Sequence, residues 1–137
     1  MLIQNILSFS DFQTYIKNYK YIIINISATW CKPCISLKPQ LEKFISVFDD
    51  HSYIYLKLDN SIYDEDQEFS NYFNLSKIPY FAFIKDGLII DSFVSSDFTN
   101  VSKRLFENIS VQKDEEKKNI DNNFNFIDNN FIENNNF

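Results

Sequence analysis

Trp30-Cys31-Lys32-Pro33-Cys34 holds both cysteines and the single tryptophan of the chain. Two sulfurs separated by two residues can bridge when the pair sits at the start of a helix. The flanking sequence places it there. Tyr21 to Ile26 is a nearly unbroken apolar run, the pattern of a strand buried on both faces. From Leu37 the apolar residues take helical spacing, at Leu37, Leu41, Phe44, Ile45 and Phe48. The cysteines therefore fall on the first turn of a helix, at a strand-to-helix junction. Unpaired N–H groups and the positive end of the helix dipole stabilise an anion at that turn. Pro33 suits the position, because a first-turn proline sacrifices no helical hydrogen bond. A thiol held there ionises more readily than free cysteine, and the thiolate is the nucleophile; Lys32 adds a cation in the same direction.

Outward from this centre, strand and helix patterns alternate. Leu2 to Leu7 reads as a short strand. Phe9, Phe12, Ile16 and Tyr19 follow at helical spacing, with Ser8 or Ser10 as the N-cap. After the helix of residues 32–48 comes a polar break that contains His51. Tyr53 to Leu58 alternates, with Ile54, Leu56 and Leu58 on one face and Tyr53, Tyr55 and Lys57 on the other. Residues 59–64 read as a polar connection and 65–73 as a short helix with Asn74 as a left-handed stop. Its acidic cluster, Asp64, Glu65, Asp66 and Glu68, suits a helix N-terminus. Tyr80 to Lys85 and Leu88 to Val94 are strands joined by Asp86-Gly87, a two-residue hairpin signal that uses the only glycine. Phe98, Val101, Leu105 and Ile109 complete an amphipathic helix. Such alternation predicts an α/β fold with a largely parallel sheet, helices on both faces and a terminal antiparallel hairpin.

Past Ser110 the composition changes. Residues 113–118 are a charge run, and 119–137 are rich in asparagine with spaced Phe and Ile. Five-residue units recur at Asn119, Phe126 and Phe131, at a spacing that matches neither a helix face nor a strand face. Residues 110–137 are therefore expected to form a disordered low-complexity tail after a domain over residues 1–109. A docking role for the tail's phenylalanines is the sharper reading and compositional drift the simpler one. The tail carries six acids against three lysines, half of the net charge of −6. That balance argues against a nucleic-acid phosphate binder. No basic segment followed by an apolar one opens the chain, and no apolar run approaches a membrane span. A reducing cytoplasmic location is expected, where Cys-x-x-Cys is catalytic or metal-binding more often than structural; an organelle or a virus particle is the alternative.

Taken together, these residues resemble the thioredoxin family over roughly residues 2–109. Ala28-Thr29-Trp30-Cys31-Lys32-Pro33-Cys34 is similar to the family's active-site stretch, with Lys32 where glycine is usual. Pro39 falls where the family kinks its active-site helix. Ile78-Pro79 resembles the cis-proline dipeptide that lies beside the dithiol, Lys57 a buried lysine near it, and Asp86-Gly87 the last hairpin turn. All three prolines and the lone glycine thus fall on family positions. The resemblance implies a three-layer fold with a central mixed sheet of about five strands flanked by about four helices. Several positions depart from it. Asn25 stands where the family has a buried aspartate that serves the second cysteine, which leaves Lys57 without a carboxylate at that place. Ser27 replaces an aromatic residue. Lys77 and Ser95 replace two small groove glycines.

The implied function is a protein-disulfide oxidoreductase that reduces substrate disulfides through Cys31 and Cys34. Cys31 is expected as nucleophile and Cys34, deeper in the helix and less exposed, as the resolving thiol. The Cys34 N–H is expected to bond the Cys31 sulfur as in an N-cap. Trp30 would pack beside the pair, Lys32 and Pro33 would support it, and Asn25 and Lys57 would lie near Cys34. Ile78 and Pro79 would bind extended substrate. No cofactor beyond the Cys31–Cys34 disulfide is implied. The implied partners are disulfide-containing proteins, with a thioredoxin reductase or glutathione as electron donor, and a monomer is expected. A structural zinc site wants four ligands, so two cysteines and His51 fall short; His51 is expected to have no role. The rival reading from another class is a thioredoxin-fold binding or adaptor module with weak redox activity, which Asn25, Lys77 and Ser95 favour.

Overall fold

The apolar run at Tyr21–Ser27 forms β2, the centre of the sheet, and the computed structural model describes the backbone of residues 1–135 and the side chains of residues 1–123. Among the described residues there are five strands and five helices. The strands are β1 (Leu2–Asn5), β2, β3 (Tyr53–Asp59), β4 (Tyr80–Lys85) and β5 (Leu88–Val94). The helices are α1 (Phe9–Asn18), α2 (Lys32–Ser46), α3 (Asn60–Glu65), α4 (Gln67–Tyr72) and α5 (Phe98–Asn135). The sheet order is β1-β3-β2-β4-β5. β1 and β2 run parallel to β3, β4 is antiparallel to β2, and β5 is antiparallel to β4. This is the mixed sheet expected from alternation followed by a hairpin.

Residues of β2 alternate between two cores. Ile22, Ile24 and Ile26 join Phe12, Ile54, Leu56, Leu58, Phe69 and Phe73 in an apolar cluster beneath α1, α3 and α4. Tyr21, Ile23 and Asn25 face the other way, where α2 covers the sheet and Lys57 meets Glu42. Burial on both faces explains why the run carries no polar alternation. The hairpin turn has φ 50° at Asp86 and 78° at Gly87. A Cβ on Gly87 would sit 3.2 Å from the Ile16 side chain, so conformation and space both favour glycine there.

The helix starts follow their caps. Ser8 Oγ accepts from the Asp11 amide at 3.1 Å, which fixes Ser8 as the α1 cap. The stretch 59–64, expected as a connection, forms α3 instead: Asp59 Oδ1 accepts from the Ser61 amide at 2.9 Å and starts it. Asn74 is not a left-handed stop; α4 ends in an extended Phe73. The last helix does not end at Ile109 but continues to Asn135. The chain divides into two compact units, Met1–Lys103 and Arg104–Phe137, and α5 crosses the boundary. The first contains the sheet and α1 to α4. The second consists, in its described residues, of the remainder of α5. The side chains of the units beginning at Phe126 and Phe131 lie outside the described residues.

Candidate active site

Chain direction brings the two cysteines to the amino end of α2. β2 ends at Ser27, and Cys31 caps the helix with φ −85° and ψ 106°. Its sulfur accepts from the Cys34 amide at 3.3 Å, as the spacing predicts. Lys32 and Pro33 occupy the first turn. Cys31 and Cys34 are joined by a disulfide, their Cα atoms 5.3 Å apart. With Ala28 they form a small buried cluster against which Ile78 packs. The expected difference in exposure between the cysteines is absent: Cys31 is 6% and Cys34 7% exposed. In the bridged state, Ala28 and Ile78 cover both sulfur-bearing residues alike.

Ile78-Pro79 is cis, and Pro79 is buried. The Ser95 amide donates to the Pro79 carbonyl at 3.3 Å, so the segment after β5 is pinned to the dipeptide. Trp30 does not pack into the cluster; it is 71% exposed on the surface, as is Ile35 at 55%. An exposed aromatic and an exposed aliphatic side chain thus flank the dithiol. Lys32 and Pro33 are also exposed.

Behind the dithiol lies a cavity of about 360 Å3, lined by Asn25, Cys34, Lys38, Glu42, Lys57 and Pro79 among others. Asn25 is buried, and its amide donates to the Tyr80 carbonyl at 3.2 Å. Lys57 pairs across the sheet with Asn25 in register, but its ammonium contacts Glu42 Oε1 at 2.6 Å. At the place of Asn25 there is, as expected, no carboxylate for Lys57; its carboxylate comes from α2 rather than β2. Glu42 is the site residue that sequence reasoning missed. Its signal was present, since Cys34, Lys38 and Glu42 recur every four residues along one side of α2. Tyr55, also on this cavity, is held well above the ordinary phenol range by burial first and by the Glu42 charge second.

His51 is exposed and lies 3.9 Å from Asp49. Among the described residues no group of three or more His, Cys, Asp or Glu side chains is placed to hold a metal ion. Among them, too, no helix is long and apolar enough to cross a membrane. The arrangement offers a dithiol that can open and close at a helix start, an adjacent cis-proline segment, and a charged cavity behind the second sulfur.

Comparison with known proteins agrees with this geometry. The thioredoxin family model matches residues 4–110. A thioredoxin from Coprinus comatus is 31% identical over 98 residues, covering 72% of this chain and 90% of that protein. Thioredoxin-2 from Pyricularia oryzae is 28% identical over 97 residues, covering 71% of this chain but 54% of that protein. The chain thus spans about half the length of that relative. The crystal structure of Malassezia sympodialis thioredoxin matches with a TM-score of 0.64 at 28% identity, covering 78% of this chain and 93% of the other. By the family match over most of its length, with the bridged Cys31–Cys34 pair inside the matched stretch, the chain belongs to the thioredoxin family.

Proposed function

We propose that this protein reduces protein disulfides by thiol–disulfide exchange through Cys31 and Cys34. The observation that carries the reading is the Cys31 sulfur at the α2 N-cap, accepting the Cys34 amide at 3.3 Å. A sulfur anion held there is stabilised by that N–H and by the helix dipole. Cys31 attacks one sulfur of the substrate disulfide, and the other leaves as a thiolate that takes a proton. Cys34 loses its proton and attacks Cys31. The mixed disulfide breaks, the second substrate thiol leaves, and the Cys31–Cys34 bridge forms. Two electrons pass from the protein dithiol to the substrate. A thioredoxin reductase or the glutathione pool returns them.

Trp30 and Ile35 form the apolar rim on which a substrate segment rests. Ile78 presents its backbone to an extended chain beside the sulfurs, and the cis bond to Pro79 sets its direction. Lys32 and Pro33 hold the first turn, and Asn25 and Lys57 line the cavity behind Cys34. Residues 1–109 carry the chemistry and residues 110–137 are a separate tail. The protein acts as a monomer in a reducing cytoplasm, or in an organelle or virus particle.

The test is reduction of insulin by wild type, Cys31→Ser, Cys34→Ser and the double variant, with dithiothreitol as donor. Cys31→Ser should lose activity by on the order of 10²-fold or more, as expected for removal of a covalent nucleophile. Cys34→Ser should accumulate mixed disulfides visible on non-reducing gels. Wild-type turnover no faster than that of the double variant would sink the reading and favour the binding-module alternative.

A further inference from the structure

Cys34 must shed a proton before it can attack Cys31, so the charges it faces govern the second half of the exchange. The titratable groups on its cavity come from two elements: Lys38 and Glu42 from α2, and Tyr55, Lys57 and Asp59 from β3. β1 and β2 contribute neutral amides and a hydroxyl there. Tyr55 stays a neutral phenol because it is buried. Asp59 Oδ1 accepts from the Ser61 amide at 2.9 Å and from the Ser61 hydroxyl at 2.7 Å, which turns it to the start of α3. Lys38 is exposed, where water screens its charge. There remains the Lys57–Glu42 pair, with side chains 19% and 34% exposed. Partial burial lowers the effective dielectric, so these two charges act over a longer range than surface charges do. Cys34 and Glu42 lie two turns apart on α2, about 12 Å along its axis, which makes the coupling a matter of field and not of contact.

We infer that the Glu42–Lys57 ion pair tunes the ionisation of Cys34 across this cavity, Lys57 favouring the thiolate and Glu42 opposing it. Both are positioning residues. The inference rests on the proposed function, in which Cys34 resolves the mixed disulfide. It also gives the departure at Asn25 a consequence: β2 places no charge behind Cys34, so the balance of one cation and one anion from β3 and α2 sets how readily the second thiol ionises.

The experiment reacts the reduced full-length protein with one equivalent of dithiobis(nitrobenzoate) and follows release of the coloured thiol across pH. Cys31 releases the first equivalent and Cys34 the second. Glu42→Gln should move the half-maximal pH of the second phase down and Lys57→Met should move it up, each by about half a unit or more. The double variant should lie between them. Glu42→Asp and Lys57→Arg keep the charges and should stay near wild type, which separates charge from packing and guards against a variant that folds poorly. A second phase whose pH profile ignores both neutral variants, or follows them in the same direction, overturns the inference while leaving disulfide exchange intact. So does a charge-keeping variant that shifts as far as the neutral one. A wild type that releases only one equivalent overturns the resolving role itself, and the inference with it.

Discussion

Asn25 ties the centre of the sheet to the residue that follows the cis-proline. Its side-chain amide donates to the Tyr80 carbonyl at 3.2 Å, and both residues are buried. An ionised carboxylate at this position has no proton to give. Asn25→Asp is therefore expected to lower stability by about 1–3 kcal/mol at pH 7, the usual cost of an unsatisfied buried polar group. Burial raises the pKa of the introduced carboxyl above its unfolded value. The protonated form can donate to Tyr80, so the loss should be smallest below the unfolded pKa and grow as pH rises through the folded one. Urea unfolding of both proteins between pH 4 and about pH 8 checks this; a gap that does not vary with pH would show that the bond contributes nothing. The same residue marks the limit of sequence reading at this scale. Cys31, Lys32, Pro33 and Cys34 could be read because their chemistry is local to one helical turn. Glu42 could not be assigned to Lys57, because that pair depends on how α2 lies over β3.

At the scale of elements, patterns with a buried face were legible and those without one were not. β2 announces itself by an apolar run and β3 by alternation, and both are covered on two sides. The hairpin of β4 and β5 is fixed by its Asp-Gly turn. α3 escaped notice because it is short and buries none of its residues. Its Asp59 cap, rather than any apolar stripe, holds it. α5 was legible over its first turns, where Val101 is fully buried, and not beyond, where asparagine and charge interrupt the stripe. The proposed division near residue 110 has a direct consequence. Gln112 is still buried, at 5% exposure, so a truncation should spare it. A chain ending at Lys113 is expected to keep its rate of insulin reduction within about twofold, because the segment removed carries no part of the proposed exchange. A larger loss would place the remainder of α5 within the working domain.

Eight tyrosines and fifteen phenylalanines supply much of the bulk that fills this chain, and the tyrosines bring hydroxyls into places where phenylalanine brings none. Tyr21 and Tyr53 stack at 4.5 Å on one side of the sheet. Tyr63, Tyr72 and Tyr80 lie on the other, against Phe69, Phe12 and Phe73. Burial drives the pKa of Tyr55 well above 10.0 and those of Tyr63, Tyr72 and Tyr80 upward from it. The folded protein therefore holds protons that the unfolded chain releases once pH passes the ordinary phenol range. The stability these phenols contribute is complete below pH 10.0 and is lost as pH rises through their folded values. Urea midpoints are expected to stay level across neutral pH and to fall steeply above pH 10. Lysine deprotonation occurs in the same range, so the phenols need a control. Tyr55→Phe removes the most strongly shifted of the four and should flatten the alkaline fall relative to wild type, whatever it does to stability at neutral pH. A fall of unchanged steepness in that variant would assign alkaline unfolding to groups other than the buried phenols.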